Sequence, residues 1–364
     1  MRLKDIISFL EELAPPALQE GYDNSGLLVG HADMTVKGVL FCLDSTEAIV
    51  EEAMKKGCNL IVAHHPIVFS GLKKLTGKNY IERTVIKAIK NDIAIYAIHT
   101  NLDHVRHGVN SRIAQQLGLK DVSILDPKSG HLLKLEVFVP IAHAEDIRKS
   151  VFNAGGGHIG NYDECSFALE GKGTFRAGEQ ANPAIGEIGQ RHTEDEAYLQ
   201  FIFPEWLKNK VLNAVRAAHP YEELAYQIIK LENTWQDVGA GIIGDLPKPM
   251  AIQDFLLHVK STMKVSMLRH TNPVHAEVQR IAVCGGSGSF LLDHAKRAGA
   301  DVFITADFKY HQFFDADGQL VIADIGHFES EQFTIDLLGE RFKQKFPTFA
   351  SHLTEISTNP VLYL

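Results

Sequence analysis

Cysteine is scarce: Cys42, Cys58, Cys165 and Cys284 are the only four in 364 residues, and none has metal-type or redox-type spacing. That argues against a disulfide framework and against a thiolate metal site, and it suits a reducing cytoplasm. Cys42 and Cys284 lie inside the apolar runs FCLD and IAVCGG, where cysteine behaves as a small buried hydrophobe. No apolar run is long enough to cross a bilayer. The first residues, MRLKDIISFLEELAPP, set apolar side chains at helical spacing among charges, which predicts an amphipathic helix and not an export signal. Positive charge is also short, with 36 Lys and Arg against 45 Asp and Glu and a net charge of −9. Proteins that grip phosphate backbones by displacing counterions carry the opposite sign. Neither a membrane nor a nucleic acid is expected as partner, and the expected location is cytoplasmic.

What is present is a folding chain, 45% hydrophobic and 22% charged, long enough for two domains. In the first third, short apolar runs alternate with helical stretches: VKGVLFCLD, NLIVAHHP and IAIYAIHTNLD are followed by STEAIVEEAMKKG, ERTVIKAIKND and VNSRIAQQLGL. The last third resumes the pattern with IAVCGGSGS, ADVFITAD and QLVIADIGH, the last leading into one long helix, FESEQFTIDLLGERFKQKF. Non-alternating apolar runs predict strands buried on both faces, and their alternation with helices predicts an α/β domain with a mostly parallel sheet covered by helices on both faces. The middle differs. Its runs alternate (LKLEVFVP, ECSFALEG, AYLQFIFP) around two helical stretches, the β-α-β-β-α-β order of a ferredoxin-like α+β module. The expected division is 1–127 with 236–364 as a discontinuous outer domain, and 128–235 as the insert.

Three buried runs end directly in potential metal ligands. NLIVA runs into His64 and His65, IAIYAI into His99 and Asp103, and LVIADI into His327 and Glu331. Strand ends of one polarity line one edge of a parallel sheet, where ligands collect. His327 and Glu331, four apart, share one face of a helix. Joining Asp103 to His327 requires the first and last thirds in one domain, which favours insertion over two consecutive domains. Imidazole with carboxylate suits Zn, Fe, Mn, Co or Ni. Five ligands exceed the need of one tetrahedral zinc, and a carboxylate can bridge two cations. Adjacent side chains on an extended backbone point to opposite sides, so His64 and His65 are expected on different ions. The expectation is two divalent ions per subunit, with zinc first among the candidates.

The stretches YDNSGLLVG (Tyr22 to Gly30), IVAHHP, IHTNLD, GGSGS (Gly285 to Ser289), TADFKYH (Thr305 to His311) and GHFESE, in this order, resemble the GTP cyclohydrolase 1 type 2 homologues, the Nif-three-like proteins. The middle, with GGGHIGNYDECSF, GTF and HPYEE, resembles the CutA/P-II-like insert of the long bacterial members. Ala306 and Ala177 depart from the family pattern, and neither touches a proposed ligand. The resemblance implies a di-metal site on His64, His65, Asp103, His327 and Glu331, with Glu331 bridging, in a toroidal homohexamer. It also implies a metal-dependent hydrolase, in which a metal-bound hydroxide opens the imidazole ring of the guanine of GTP. The substrate would then be a small molecule, a nucleotide. A non-enzymatic assembly that binds or delivers metal, or recruits partners, is the alternative.

Further residues carry narrower expectations. His99 is expected behind the ligands, with His311 and Lys309 as other candidates for proton transfer or phosphate contact. Asp44 either faces the same cleft or caps the following helix. Asn24 and Gly26 shape either a substrate loop or a plain turn. GGSGS has the look of a phosphate cradle at a helix start, without the lysine of a P-loop. In the insert, His158, His219, Glu222 and Glu223 serve either a metal or small effector, or oligomer contacts and ordinary turns.

Overall fold

A computed structural model describes residues 1–364 and divides them into two compact units, Met1–Pro127 with Asp237–Leu364, and Lys128–Gln236. No helix is long and apolar enough to cross a membrane.

The outer unit holds two sheets, not one. The first runs in the spatial order Gly26–Val29, Ala94–Ala97, Leu60–Ala63, Val39–Cys42, Ser351–Leu353. Its last four strands are parallel, and Gly26–Val29 is antiparallel at the edge. The second runs in the order Arg269–His270, Val321–Asp324, Val302–Ala306, Glu277–Ser287, Thr234–Ala251, Lys120–Ser129. Here three central strands are parallel, while Arg269–His270 and Thr234–Ala251 pair antiparallel with their neighbours. The sheets are therefore mixed, and the expectation of a mostly parallel sheet is corrected. An apolar run shows that a strand is buried on both faces; it does not say which strand lies beside it or in which direction.

Both sheets contribute to one core. Val39, Phe41, Val62 and Tyr96 from the first pack in the same cluster as Ile281, Val283, Ile304 and Ala323 from the second, with Leu3, Ile6 and Leu10 of the amino-terminal helix and Leu338 and Phe342 of the helix Thr334–Lys345. The alternate residues Leu40, Cys42, Ile61 and Ala63 face the opposite way, onto Ile49, Val50 and Ala53 of the helix Glu47–Lys55 and Val85 and Ala88 of the helix Tyr80–Lys90. Each fully buried aliphatic side chain contributes about 1.5–3 kcal/mol, so two-faced burial holds these four-residue strands in place. Thr46 and Asn79 cap the two helices by accepting from Ile49 N and Glu82 N at 3.3 and 2.8 Å. Thr46, not Asp44, is thus the cap.

The expected long carboxy-terminal helix is broken into a turn, His327–Glu331, and the helix Thr334–Lys345. Ser330 Oγ donates back to His327 O at 2.8 Å and accepts from Gly286 N at 2.9 Å, which ties the turn to a neighbouring strand.

The insert is a four-stranded sheet in the order Phe167–Arg176, Arg191–Pro204, Leu132–Pro140, Tyr226–Leu231, antiparallel throughout. The helices Ala144–Asn153 and Lys208–Ala218 cover it through Ile147, Val151, Val211 and Val215, which pack on Leu135, Val137, Leu199 and Phe201.

Candidate metal centre

Parallel register brings three strand ends of the first sheet to one edge. Cys42, Ala63 and Ala97 are level with one another, so Asp44, His64, His65 and His99 follow side by side. His64 N donates to Cys42 O at 3.1 Å, and Ile98 N to Ala63 O at 2.9 Å. In the second sheet Asp307 and His327 follow the neighbouring strands Val302–Ala306 and Val321–Asp324. The proposed ligands therefore come from the facing edges of two sheets, and Glu331, one helical turn beyond His327, reaches between them.

Glu331 is the focus. It is 3% exposed, and its Oε2 accepts from His65 Nε2 at 2.9 Å and lies 3.2 Å from His327 Nε2. Its Oε1 faces His64 Nε2 at 3.8 Å, and Asp103 Oδ1 stands 3.6 Å from the same nitrogen. Neither distance is a hydrogen bond. His64 Nε2 and Asp103 Oδ1 are both buried without a hydrogen-bonding partner, which is costly unless something else fills the gap. Ligand atoms of His64, His65 and Glu331 all lie within 4.8 Å of one another.

Each histidine is oriented through its other nitrogen. His64 Nδ1 donates to Ile98 O at 2.8 Å, His65 Nδ1 to Asp44 Oδ1 at 2.8 Å, and His327 Nδ1 to Asp307 Oδ2 at 2.7 Å. This leaves every Nε2 aimed at Glu331, the arrangement in which outer partners set a ligand's tautomer and direction. His65 and His327 have a carboxylate on both ring nitrogens, which favours the imidazolium form of each. Burial opposes that charge, but Asp44 and Glu331 override it and push His65 up to about 10, as Asp307 and Glu331 push His327 up to about 11. His64, fully buried, is held below the ordinary histidine value by desolvation, against the pull of Glu331. Burial also raises Asp103, helped by the Glu331 charge. Glu331 itself is driven well below the usual carboxylate range: burial works against this, and the three imidazoles outweigh it.

Glycine makes room for this carboxylate. A Cβ on Gly286, whose φ is +64°, would stand 2.5 Å from Glu331 Oε1, and one on Gly285 would meet Val109 Cγ1 at 2.9 Å. Gly285 N and Gly286 N are already bonded to Asn110 Oδ1 and Ser330 Oγ. The helix that follows, Leu292–Arg297, is only six residues long. The glycine run therefore provides clearance for Glu331, and its first two N–H groups are already taken.

The five ligand candidates come together, and so does His99, whose Nδ1 donates to Asp23 Oδ1 at 2.7 Å and whose ring packs 5.4 Å from those of His64 and His65. Lys309 and His311 do not. They lie on the exposed 3-10 turn region around Tyr310–Ala316, with the His311 ring against Tyr310 and Phe314. Asn24 Nδ2 donates to Val68 O, and Gly26 begins an edge strand with φ +113°, so both are structural. In the insert His219 Nε2 donates to Phe138 O and Glu222 accepts from Asn182 N, while His158 and Glu223 are exposed. Sequence reasoning missed Asp23 and Asp307. The signal was available, since TAD ends a buried strand as FCLD does, and Asp23 lies within the same YDNSG run as Asn24. A cleft of about 620 Å³ opens over the centre, lined by His65, His99, His327, Phe69, Phe328 and Arg269 together with residues of the carboxy-terminal segment.

Known proteins match this chain along its whole length. The Duf34/NIF3 (NGG1p interacting factor 3) family matches residues 1–360. A GTP cyclohydrolase 1 type 2 homolog of Halalkalibacterium halodurans is 41% identical over 325 residues, 88% of this chain and 87% of that protein. One of Bacillus subtilis is 36% identical over 371 residues, covering 99% of this chain and 98% of its own. The crystal structure of a Bacillus cereus protein related to NIF3 superposes with a TM-score of 0.89 at 38% identity, covering 100% of this chain and 99% of that one. The chain belongs to the Duf34/NIF3 family.

Proposed function

We propose that this protein holds two divalent cations, zinc first among the candidates, and is a metal-dependent hydrolase. The carrying observation is the pair of buried, partnerless atoms, His64 Nε2 and Asp103 Oδ1, facing a carboxylate whose other oxygen faces His65 and His327. One ion fits His64, Asp103 and Glu331; the other fits His65, His327 and Glu331. Bound there, such ions would supply Lewis acidity and a water that ionises near neutral pH. The chain's own residues do the rest. Asp23 keeps the His99 Nδ1–H engaged, so that Nε2 is free to accept a proton at the cleft wall. Phe69, Phe328 and Met267 offer apolar faces to a planar substrate, in a cleft of the size small-molecule sites have.

The relatives' name makes GTP the first substrate to try, with hydrolytic opening of the guanine imidazole ring as the reaction. Metal-loaded protein incubated with GTP should release formate and a pterin precursor. Turnover no greater than that of Glu331→Gln would refute a hydrolytic role with this substrate. Failure with GTP and with a panel of other phosphate and amide substrates, despite two bound ions, would favour the metal-binding or delivery reading.

The same reading includes a homohexamer, to be checked by light scattering, and a ferredoxin-like insert. The succession Leu132–Pro140, Ala144–Asn153, Phe167–Arg176, Arg191–Pro204, Lys208–Ala218, Tyr226–Leu231 supports the latter.

A further inference from the structure

Part of the carboxy-terminal segment, from Thr358 to Tyr363, reaches the centre and its cleft. The strand Ser351–Leu353 pairs in parallel with Val39–Cys42, the strand that leads to Asp44. Beyond it Thr354 N donates to Phe41 O at 3.0 Å, and the Thr354 hydroxyl and Glu355 N both reach the buried Glu52 carboxylate. The segment then crosses the end of the same strand. Thr358 Oγ1 donates to Asp44 Oδ2 at 2.6 Å, and Asn359 Nδ2 to Glu329 Oε1 at 3.0 Å. Glu329 is buried in the turn that carries His327 and Glu331. Asn359, Pro360, Val361 and Tyr363 wall the cleft.

Asp44 is therefore held at both oxygens, Oδ1 by His65 and Oδ2 by Thr358. A carboxylate anchored on one side only can rotate and carry its imidazole partner with it. Both oxygens taken, it cannot. We propose that Thr358 is a positioning residue of the centre, acting through Asp44 on His65, so that docking of the carboxy-terminal segment tightens the hold of the His65–His327 half on its cation. The inference rests on the two-cation reading above. It singles out one half: His64 is oriented by Ile98 O, and nothing in the segment touches Asp103.

The test compares wild type, Thr358→Val, Thr358→Ser, Asp44→Asn and a chain ending at Ser357, each stripped and reloaded with Zn(II) or Co(II). Metal per chain is read by elemental analysis, affinity by chelator competition, and coordination by the Co(II) absorption bands. Wild type should take up two ions. Thr358→Val should weaken one of them by roughly three- to tenfold, less than the ~10–100-fold of an oriented ligand's direct partner such as Asp44. The other ion should be unaffected, and Thr358→Ser should restore the first. The truncated chain should behave as Thr358→Val or worse; unchanged thermal melting of Thr358→Val separates loss of orientation from loss of fold. Two ions bound by Thr358→Val with wild-type affinity would overturn the proposal while leaving the two-cation reading intact. A wild-type protein that takes up no metal overturns both.

Discussion

The two halves of the centre are built differently. His64 is sealed from solvent, and a backbone carbonyl stands behind it. His65 and His327 are partly exposed, and each has an aspartate behind it, Asp44 or Asp307. A carboxylate raises the basicity of the imidazole it faces far more than a carbonyl does. One half therefore favours the protonated imidazoles, and in the other burial disfavours charge on His64 and Asp103 and leaves polar atoms of both without partners. Where polar atoms are partnered by hydrogen bonds, the site is satisfied as it stands; where they are partnerless, the proposed cation would complete it.

The hardest blow to this contrast is Glu331→Gln, because Glu331 alone belongs to both halves. Metal content measured by equilibrium dialysis and elemental analysis should fall from two ions per chain to nearly none, with affinity down by more than about 100-fold, above the loss typical of an outer partner. Retention of one ion at full affinity would assign the carboxylate to a single half.

A smaller change separates the halves. Asp307→Asn removes the charge behind His327 and should weaken one ion by about 10–100-fold while sparing the other. Isothermal titration would show this as two distinct binding events in place of two tight ones. Equal weakening of both would mean that the halves act as a unit.

The mildest effect is that of pH on the metal-free protein, where the halves should fail at opposite ends. His65 and His327 have folded values of about 10 and about 11, above the unfolded value of roughly 6.5. Their contribution to stability is complete below the unfolded value and is lost as pH rises through the folded ones. His64, shifted downward, works the other way: the unfolded chain takes up a proton that the folded one refuses, so stability falls as pH drops below about 6.5. Thermal melts of the stripped protein should show a flatter alkaline limb in His65→Gln/His327→Gln and a flatter acid limb in His64→Gln. Identical limbs in all three proteins would erase the distinction.

Much of the centre was legible in the chain because ligand types sit at the ends of buried runs, and a buried four-residue strand is written locally in residues such as Leu60–Ala63. His64, His65, Asp103, His327 and Glu331 were all named from that pattern. The partners behind them were not equally visible. In the sequence Asp44 fits a cap as well as a cleft residue, and only the structure makes Thr46 the cap; Asp307 is masked by the neighbouring Lys309 and His311, which lie on an exposed turn away from the cleft. Nothing in GGSGS distinguishes a phosphate cradle from clearance for Glu331; the 2.5 Å approach at Gly286 does.

Alone, the amino-acid order determined which residues end which strands, the spacing that puts His327 and Glu331 on one face, and the family. Tertiary structure decided that the ends belong to two mixed sheets, that Glu331 spans the gap between them, and that Thr358 reaches back to Asp44 from 314 residues away. The reason is physical. Burial and helical spacing are properties of neighbouring residues, whereas strand partners, their direction and the meeting of two sheet edges depend on contacts between segments far apart in the chain.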